Sequence, residues 1–201
     1  MARPAAALHQ CDRGRHAQHR MSPNRDPGPV LARRYHPFYC EENIWWLCAE
    51  PALGAELAQV IFVASIGGAC PVAEQRAGGP DGVAWWDYHC IGLDTDSRIW
   101  DLDSRLPVPV PAKDWLTRSF PAAAELPEAL QPRFRLVPAA SYRAEFASDR
   151  RHMCTSDGGW LHAPPPWPCI GEGWNLDRYR DVRDPAGPGR LLELEGLAAS
   201  I

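Results

Sequence analysis

Apolar side chains recur at helical spacing from Glu41 to Ala58, directly after a cysteine at position 40. Pro51 falls inside this pattern, so we expect the helix to break or kink there. Residues 59–66 are rich in β-branched and aromatic side chains, which predicts a strand. The pattern therefore predicts a helix that begins near Cys40 and a strand that follows it.

The rest of the chain alternates between strand patterns, helix patterns and segments rich in glycine and proline. The predicted elements are, in order, a loop over 70–82, a strand over 83–93, a turn over 94–97, a strand over 98–103, a proline-rich connection over 107–111, a helix over 113–120, a strand over 134–139, a helix starting near Ser141 and irregular structure over 157–174. This order predicts the α+β class, with a cysteine at a helix N-terminus packed on an antiparallel sheet.

The first 34 residues have no sustained apolar period and carry many arginines. Such a segment buries too little apolar surface to order itself. We expect residues 1–34 to form a disordered N-terminal extension, with a transit peptide as the alternative. Residues 35–201 are then expected to form a single domain, and deletion of residues 1–30 should change neither thermal stability nor activity.

Composition and charge exclude several classes of protein. Hydrophobic residues make up 45% of the chain, as in globular proteins. The net charge of −4 argues against a dedicated nucleic-acid-binding protein. No apolar run approaches the ~20 residues of a membrane span, and the N-terminus lacks the apolar core of a signal peptide. We therefore expect a cytoplasmic protein that binds neither nucleic acid nor a membrane.

The seven cysteines do not form a disulfide framework, because their number is odd and no pair has C-x-x-C spacing. Most are expected to pack as small apolar residues. His152, Cys154, His162 and Cys169 can be considered as zinc ligands, but their spacing matches no common zinc site. We therefore expect no metal and no cofactor.

Cys40 lies where the helical pattern begins, and Glu41 and Glu42 follow it. The free N–H groups and macrodipole of a helix start favour a thiolate, as a nucleophile requires. Acidic side chains are also common in a first helical turn for structural reasons. Cys40 is therefore a candidate nucleophile, and a buried structural thiol is the alternative.

The strand–turn–strand segment supplies the other groups that a thiol nucleophile needs, a base and an acid that orients it. A turn centred on Thr95 places His89 opposite Asp101, and Asp87 opposite Asp103, with paired side chains on one face. A carboxylate in that position fixes the imidazole tautomer. A register shift of one residue puts His89 and Asp101 on opposite faces. An ordinary hairpin with a half-buried histidine is the alternative.

Five segments in order, YCEENIWWLC, WDYHC, IWDLDSRLPVP, FASDRRHM and PPPWPC, resemble the protein N-terminal glutamine amidohydrolase family. The family carries a W-D-Y-H-V signature, and here Cys90 replaces the valine. We expect Cys90 to pack in the core, on the strand face opposite His89. The resemblance covers roughly residues 35–175, with little match beyond Leu176.

The resemblance implies a papain- and transglutaminase-like fold with Cys40 as nucleophile, His89 as acid/base and Asp101 as orienting acid. It implies hydrolysis of the side-chain amide of N-terminal glutamine in proteins and peptides, without metal or organic cofactor. It also implies a monomeric catalytic domain over residues 35–201. Eukaryotic members act in the N-degron pathway, and for a eukaryotic protein a nuclear location is expected as well. A papain-like protease or a transglutaminase-type acyl transferase with the same triad is the alternative.

The substrate's free α-amino group requires an acceptor, and Glu42, Asp87 and Asp149 are candidates by their chemistry. The segment FASDRRHM is expected to form a loop beside the cleft. The alternative is that Asp149 caps a turn while Arg150 and Arg151 lie in solvent.

Overall fold

The computed structural model describes residues 34–50 and 56–201. The predictions for residues 1–33 and for the break at Pro51 lie outside the described residues. No helix in the described part of the chain has the length and apolar character that a membrane span requires.

Helix α1, Cys40–Cys48, begins at the cysteine, as the hydrophobic pattern predicted. It buries Ile44 and Leu47 and packs against the strand that starts at His89. The phenolic hydroxyl of Tyr142 donates a hydrogen bond of 2.9 Å to the carbonyl of Glu41, in the first turn of α1. The position of α1 is therefore fixed by apolar packing and by a contact from the second half of the chain.

The remaining elements combine eight strands, four helices and three 3₁₀ turns in the described residues. They are, in order, β1 Leu57–Ala64, β2 Cys70–Val72, β3 Ala84–Trp86, β4 His89–Asp94, β5 Arg98–Trp100, β6 Val110–Pro111, α2 Ala112–Ser119, 3₁₀ turns Ala123–Glu125 and Glu128–Leu130, β7 Arg133–Pro138, α3 Ala139–Glu145, a 3₁₀ turn Arg151–Met153, α4 Leu176–Arg180, β8 Arg190–Glu193 and α5 Leu194–Ala198. The mixed composition confirms the predicted combination of helices with strands.

Six strands form one sheet in the order β6-β5-β4-β1-β7-β8, and each neighbouring pair is antiparallel. The predicted antiparallel sheet is therefore confirmed. Strand β1 lies at the centre and is buried from Val60 to Ala64. A central strand covered on both faces needs apolar side chains at successive positions, which its sequence supplies.

Apolar clusters cover both faces of this sheet. One contains Cys40 and Ile44 from α1 with Phe62 and Cys90 from the strands. The other contains Val63 of β1 with residues of α2. His89 pairs with Val63, so His89 and Cys90 belong to opposite faces, as predicted for a packing role of Cys90.

Two predicted strands differ from the structure. The strand predicted over 83–93 is interrupted, because β3 pairs with β2 in a separate two-stranded sheet and only β4 joins the main sheet. The strand predicted over 98–103 ends at Trp100, since the chain turns at Asp101, whose carbonyl accepts a bond from the Ser104 N–H. The elements β2, β6, α4, β8 and α5 were not predicted.

The β4–β5 hairpin has the predicted facing of side chains but a different centre. Gly92 lies opposite Trp100 and Leu93 opposite Ile99, which centres the turn on Asp96 rather than Thr95. Moving the centre by one residue shifts each pairing by two, and a two-residue shift keeps side chains on the same face. The predicted residue pairs were therefore wrong, but the predicted assignment of side chains to the two faces was correct.

Candidate active site

The imidazole of His89 is held by the carboxylate of Asp101. The Nε2 atom of His89 lies 2.8 Å from Oδ1 of Asp101, and both side chains are fully buried. The other carboxylate oxygen accepts bonds from Gln75 Nε2 at 2.9 Å and Trp115 Nε1 at 3.0 Å. Burial alone would raise the pKa of Asp101, but the charge of His89 and these donors hold it below its usual range. Asp101 is therefore ionised and fixed in orientation.

This anchoring leaves the second ring nitrogen of His89 available. Nδ1 is buried and has no hydrogen-bond partner among the described residues. Burial alone would lower the pKa of His89, but the neighbouring Asp101 outweighs this effect and raises it. The Trp86 ring stacks on the imidazole, with centroids 5.3 Å apart and planes 10° from parallel. The ring is thus restrained on one face and at one nitrogen, with Nδ1 free for proton transfer.

Cys40 is the first residue of α1, and 6% of it is exposed. Its sulfur lies beside the backbone N–H of Cys90, the residue after His89. Tyr39, at the helix cap, donates and accepts no side-chain capping bond, so the first N–H groups of α1 lack that partner. The start of the helix therefore brings a thiol and backbone N–H groups that no side chain of the cap residue binds next to the histidine strand.

The structure opposes one expectation for Cys40. The helix start was expected to favour a thiolate, but burial raises the pKa of the thiol and the adjacent Glu41 carboxyl raises it further. The sulfur lies 3.7 Å from Oε2 of Glu41. Burial thus favours the protonated thiol of Cys40 over the thiolate.

Glu41 belongs to a buried polar cluster on one side of the sulfur. His152 Nε2 lies 3.5 Å from Oε1 of Glu41 and 3.2 Å from the hydroxyl of Tyr88. Burial raises the pKa of Glu41 to about 8, and the charge of Glu42 adds to the increase. Burial and the charge of Arg180 lower the pKa of His152 to about 4. The cluster is thus mostly uncharged near neutral pH.

Glu42 forms a buried ion pair rather than an open binding group. Its two oxygens accept bonds from Arg150 Nε at 2.6 Å and Nη2 at 2.8 Å, and Trp167 Nε1 donates a third at 2.7 Å. Arg150 also donates to backbone carbonyls, among them that of Trp167 at 2.8 Å. The interpretation in which Arg150 lies in solvent is therefore wrong. Arg150 ties α1 to the segment that covers it.

The other two candidate acceptors lie nearer the surface. Asp149 accepts bonds from the backbone and guanidinium of Arg151, so it caps a turn as one interpretation predicted. Asp87 is paired with Arg180 at 3.2 Å, and its side chain is 64% exposed. The structure does not bring Glu42, Asp87 and Asp149 together, and a role for any of them in substrate binding stays a prediction.

The segment before Cys40 packs against residues near 162. Phe38 has a left-handed backbone, with φ of 68°, and its ring stacks on His162 with centroids 3.6 Å apart. The Asn43 side chain bonds both backbone groups of His36 at 2.8 Å. A non-glycine residue in this conformation requires surrounding contacts to hold it. These contacts fix the approach of the chain to Cys40.

A zinc site is not formed by the four residues considered as ligands. Within residues 34–50 and 56–201, no group of three or more histidine, cysteine, aspartate or glutamate side chains is arranged to hold a metal ion.

The sequence did not identify Gln75 and Trp115 as partners of Asp101. Gln75 falls in a segment predicted to be a loop, and a tryptophan in a short helix indicates burial but not the direction of its N–H group. The position of His152 beside the site was also missed, because no local pattern distinguishes it from other histidine residues.

Comparison with known proteins gives a consistent result. The family described as N-terminal glutamine amidase matches residues 35–201. The chain is 34% identical over 171 residues to a protein N-terminal glutamine amidohydrolase of Bos taurus, covering 80% of this chain and 83% of the relative. Relatives of the same name from Drosophila ananassae and Homo sapiens are 36% and 34% identical, covering 80% of this chain and 84% and 83% of their own. The match through Ile201 corrects the prediction that similarity ends near Leu176.

Proposed function

The chain belongs to the N-terminal glutamine amidase family, and we propose that it hydrolyses the side-chain amide of an N-terminal glutamine, giving glutamate and ammonia. The observation that carries this proposal is the buried His89, which Asp101 anchors through Nε2 while Nδ1 stays without a partner. An imidazole held in this way can take a proton from a nearby thiol and later release it to a leaving group.

In the proposed mechanism, Nδ1 of neutral His89 accepts the proton of Cys40 as the sulfur attacks the amide carbon. The carbonyl oxygen becomes an oxyanion, and backbone N–H groups at the start of α1 donate to it. Collapse of this intermediate breaks the carbon–nitrogen bond. His89 returns the proton to the departing nitrogen, which leaves as ammonia, and a thioester to Cys40 remains.

The thioester is then hydrolysed by the same kind of steps, with water as the nucleophile. His89 takes a proton from the water as its oxygen attacks the thioester carbon. The carbon–sulfur bond breaks, Cys40 recovers its proton and the product glutamate leaves. Asp101 stays ionised throughout and stabilises the imidazolium. No step requires an oxidant or reductant.

We extend the proposal to the architecture. Residues 35–201 act as a single catalytic domain of the papain and transglutaminase type, in which a cysteine at a helix start meets a histidine on a strand. The helix–strand arrangement of Cys40 and His89 supports this assignment. The monomeric state and the cytoplasmic location stay predictions.

Mass spectrometry of a glutamine-initiated peptide tests the proposal. The expected product shows the small mass gain of amide-to-acid conversion, together with released ammonia and an intact backbone. Peptides that begin with asparagine should react about a hundredfold more slowly, because a displacement of about 1 Å at the reacting carbon costs that much. Peptides that begin with acetylated glutamine should also react more slowly, because acetylation removes the charge and leaves a buried acceptor unpaired, at a cost of roughly 1–3 kcal/mol. Backbone cleavage, or transfer to an added amine without hydrolysis, would favour the protease or acyl transferase instead.

A further inference from the structure

Asp103 is a buried carboxyl group with an incomplete set of partners. It is 4% exposed, and its backbone N–H donates to the same Asp101 oxygen that His89 binds, at 3.2 Å. The hydroxyl of Tyr35 donates to Oδ1 of Asp103 at 2.6 Å. No hydrogen bond reaches Oδ2 from the described residues, and none of their ion pairs includes Asp103. Asp103 therefore lies at the triad with one oxygen unused.

The other acids near the nucleophile are already engaged or closed off. Glu42 is saturated by Arg150 and Trp167, and Asp101 by its own donors. Glu41 is fully buried and mostly protonated near neutral pH. The backbone N–H of Asp103 and the imidazole of His89 bind the same oxygen of Asp101, which places Asp103 beside that pair.

A buried carboxylate without an ion-pair partner is costly, because its loss of hydration is not fully offset. Burial raises the pKa of Asp103, and the charges of His89 and Arg76 oppose this rise without forming an ion pair with it. The substrate of the proposed reaction brings such a partner, since a free N-terminal residue carries an α-ammonium group close to its side chain. An ammonium has three donors and can bind one carboxylate oxygen strongly at short range.

We propose that Asp103 binds the α-ammonium group of the substrate through Oδ2, while Tyr35 holds Oδ1 and so sets the carboxylate plane. This inference rests on the proposed amidohydrolase function. It identifies Asp103 as the residue that restricts the reaction to substrates with a free N-terminal amino group. Glu42, Asp87 and Asp149, the acceptors considered from sequence, are not used.

The test combines a change in the enzyme with a change in the substrate. The variant Asp103→Asn keeps the shape and the acceptor for Tyr35 but removes the charge. The first substrate is a peptide that begins with glutamine. The second is the same peptide with a 4-carbamoylbutanoyl group in place of glutamine, which keeps the side-chain amide and lacks the α-amino group. The exposed turn variant Asp96→Asn, whose side chain is 71% exposed, is the matched control.

With the glutamine peptide, Asp103→Asn should lower kcat/KM about 10- to 100-fold, chiefly through KM, because a charge-assisted hydrogen bond is lost from ground state and transition state alike. With the des-amino peptide, the variant should match the wild type within about twofold. Tyr35→Phe should show a smaller loss of the same amine-specific kind, and Asp96→Asn no loss on either peptide.

Two results overturn the assignment while leaving the amidohydrolase function in place. An equal loss on both peptides would show that Asp103 acts through His89 or Cys40, and no loss on either would place the ammonium elsewhere. Thermal melting of each variant identifies a folding defect, in which case the amine-specific loss in Tyr35→Phe decides the question. A wild-type enzyme that releases no ammonia from the glutamine peptide would overturn the proposed function and this inference together.

Discussion

Replacing Glu42 with glutamine should destabilise the protein far more than breaking an exposed ion pair does. Glu42 is fully buried, and the side chain of its partner Arg150 is 7% exposed. Glutamine retains one acceptor oxygen and turns an NH₂ group toward donors of Arg150 or Trp167. The guanidinium would then keep its charge in the interior with backbone carbonyls as its main acceptors.

The expected cost follows from these contacts. Removing one partner of a buried ion pair typically costs about 3–5 kcal/mol, because the remaining charge is buried without compensation. For a protein of this size each kcal/mol lowers Tm by roughly 2–4 °C. The variant Glu42→Gln should therefore melt about 6–20 °C below the wild type.

Thermal unfolding followed by circular dichroism measures this difference. The matched control is Asp149→Asn, because the ion pair of Asp149 with Arg151 is exposed and such pairs contribute about 0–1 kcal/mol. Adding Arg150→Met to Glu42→Gln removes the unpaired charge and should restore part of the lost stability. If Glu42→Gln melts no lower than Asp149→Asn, the ion pair does not hold α1 in place and the reasoning fails.

Three further predictions concern the site. The kcat/KM of an enzyme that requires neutral His89 should rise with pH, and the rise should lie above pH 6.5, the usual pKa of histidine, because Asp101 raises the pKa of His89. The variant Asp101→Asn should move this rise to lower pH and reduce kcat about a hundredfold or more. Glu41 stays protonated in the folded protein up to about pH 8 but ionises near pH 4.5 in the unfolded chain. The free energy of unfolding, measured with urea, should therefore fall as the pH rises from 4.5 to 8, and it should fall less for Glu41→Gln. Cys40→Ala should abolish ammonia release without lowering Tm, whereas Cys48→Ala should stay active; activity in Cys40→Ala would contradict the proposed mechanism.

The sequence predicted the features of the fold that depend on local periodicity. The start of α1 at Cys40 and the facing of His89 toward Asp101 both follow from spacing within a short segment. The centre of the hairpin was misplaced because Ser97 adopts a left-handed conformation, with φ of 57°, and closes the turn one residue later than expected. Local preference alone does not distinguish Thr95 from Asp96 as the centre.

The contacts between distant parts of the chain could not be predicted in this way. Gln75 and Trp115 lie 26 and 14 residues from Asp101, and their approach depends on how loops and helices pack around the sheet. The same holds for the burial that raises the pKa of Cys40, since a thiol at an exposed helix start would shift in the opposite direction. Recognition of family motifs supplied the candidate site residues, but not the protonation state that burial favours for Cys40.

The ion pair of Glu42 also has a consequence for the order in which the protein is made. Glu42 and Arg150 are 108 residues apart, and the bond from Tyr142 to Glu41 spans 101. During synthesis from the N-terminus, α1 therefore emerges long before the residues that bond its acidic first turn. A nascent chain that ends at residue 140, before Tyr142 and Arg150, should lack the ordered helix start and have no amidase activity, which ribosome-bound chains of increasing length would show. The helix start that carries Cys40 is thus held in place only when most of the chain has been translated.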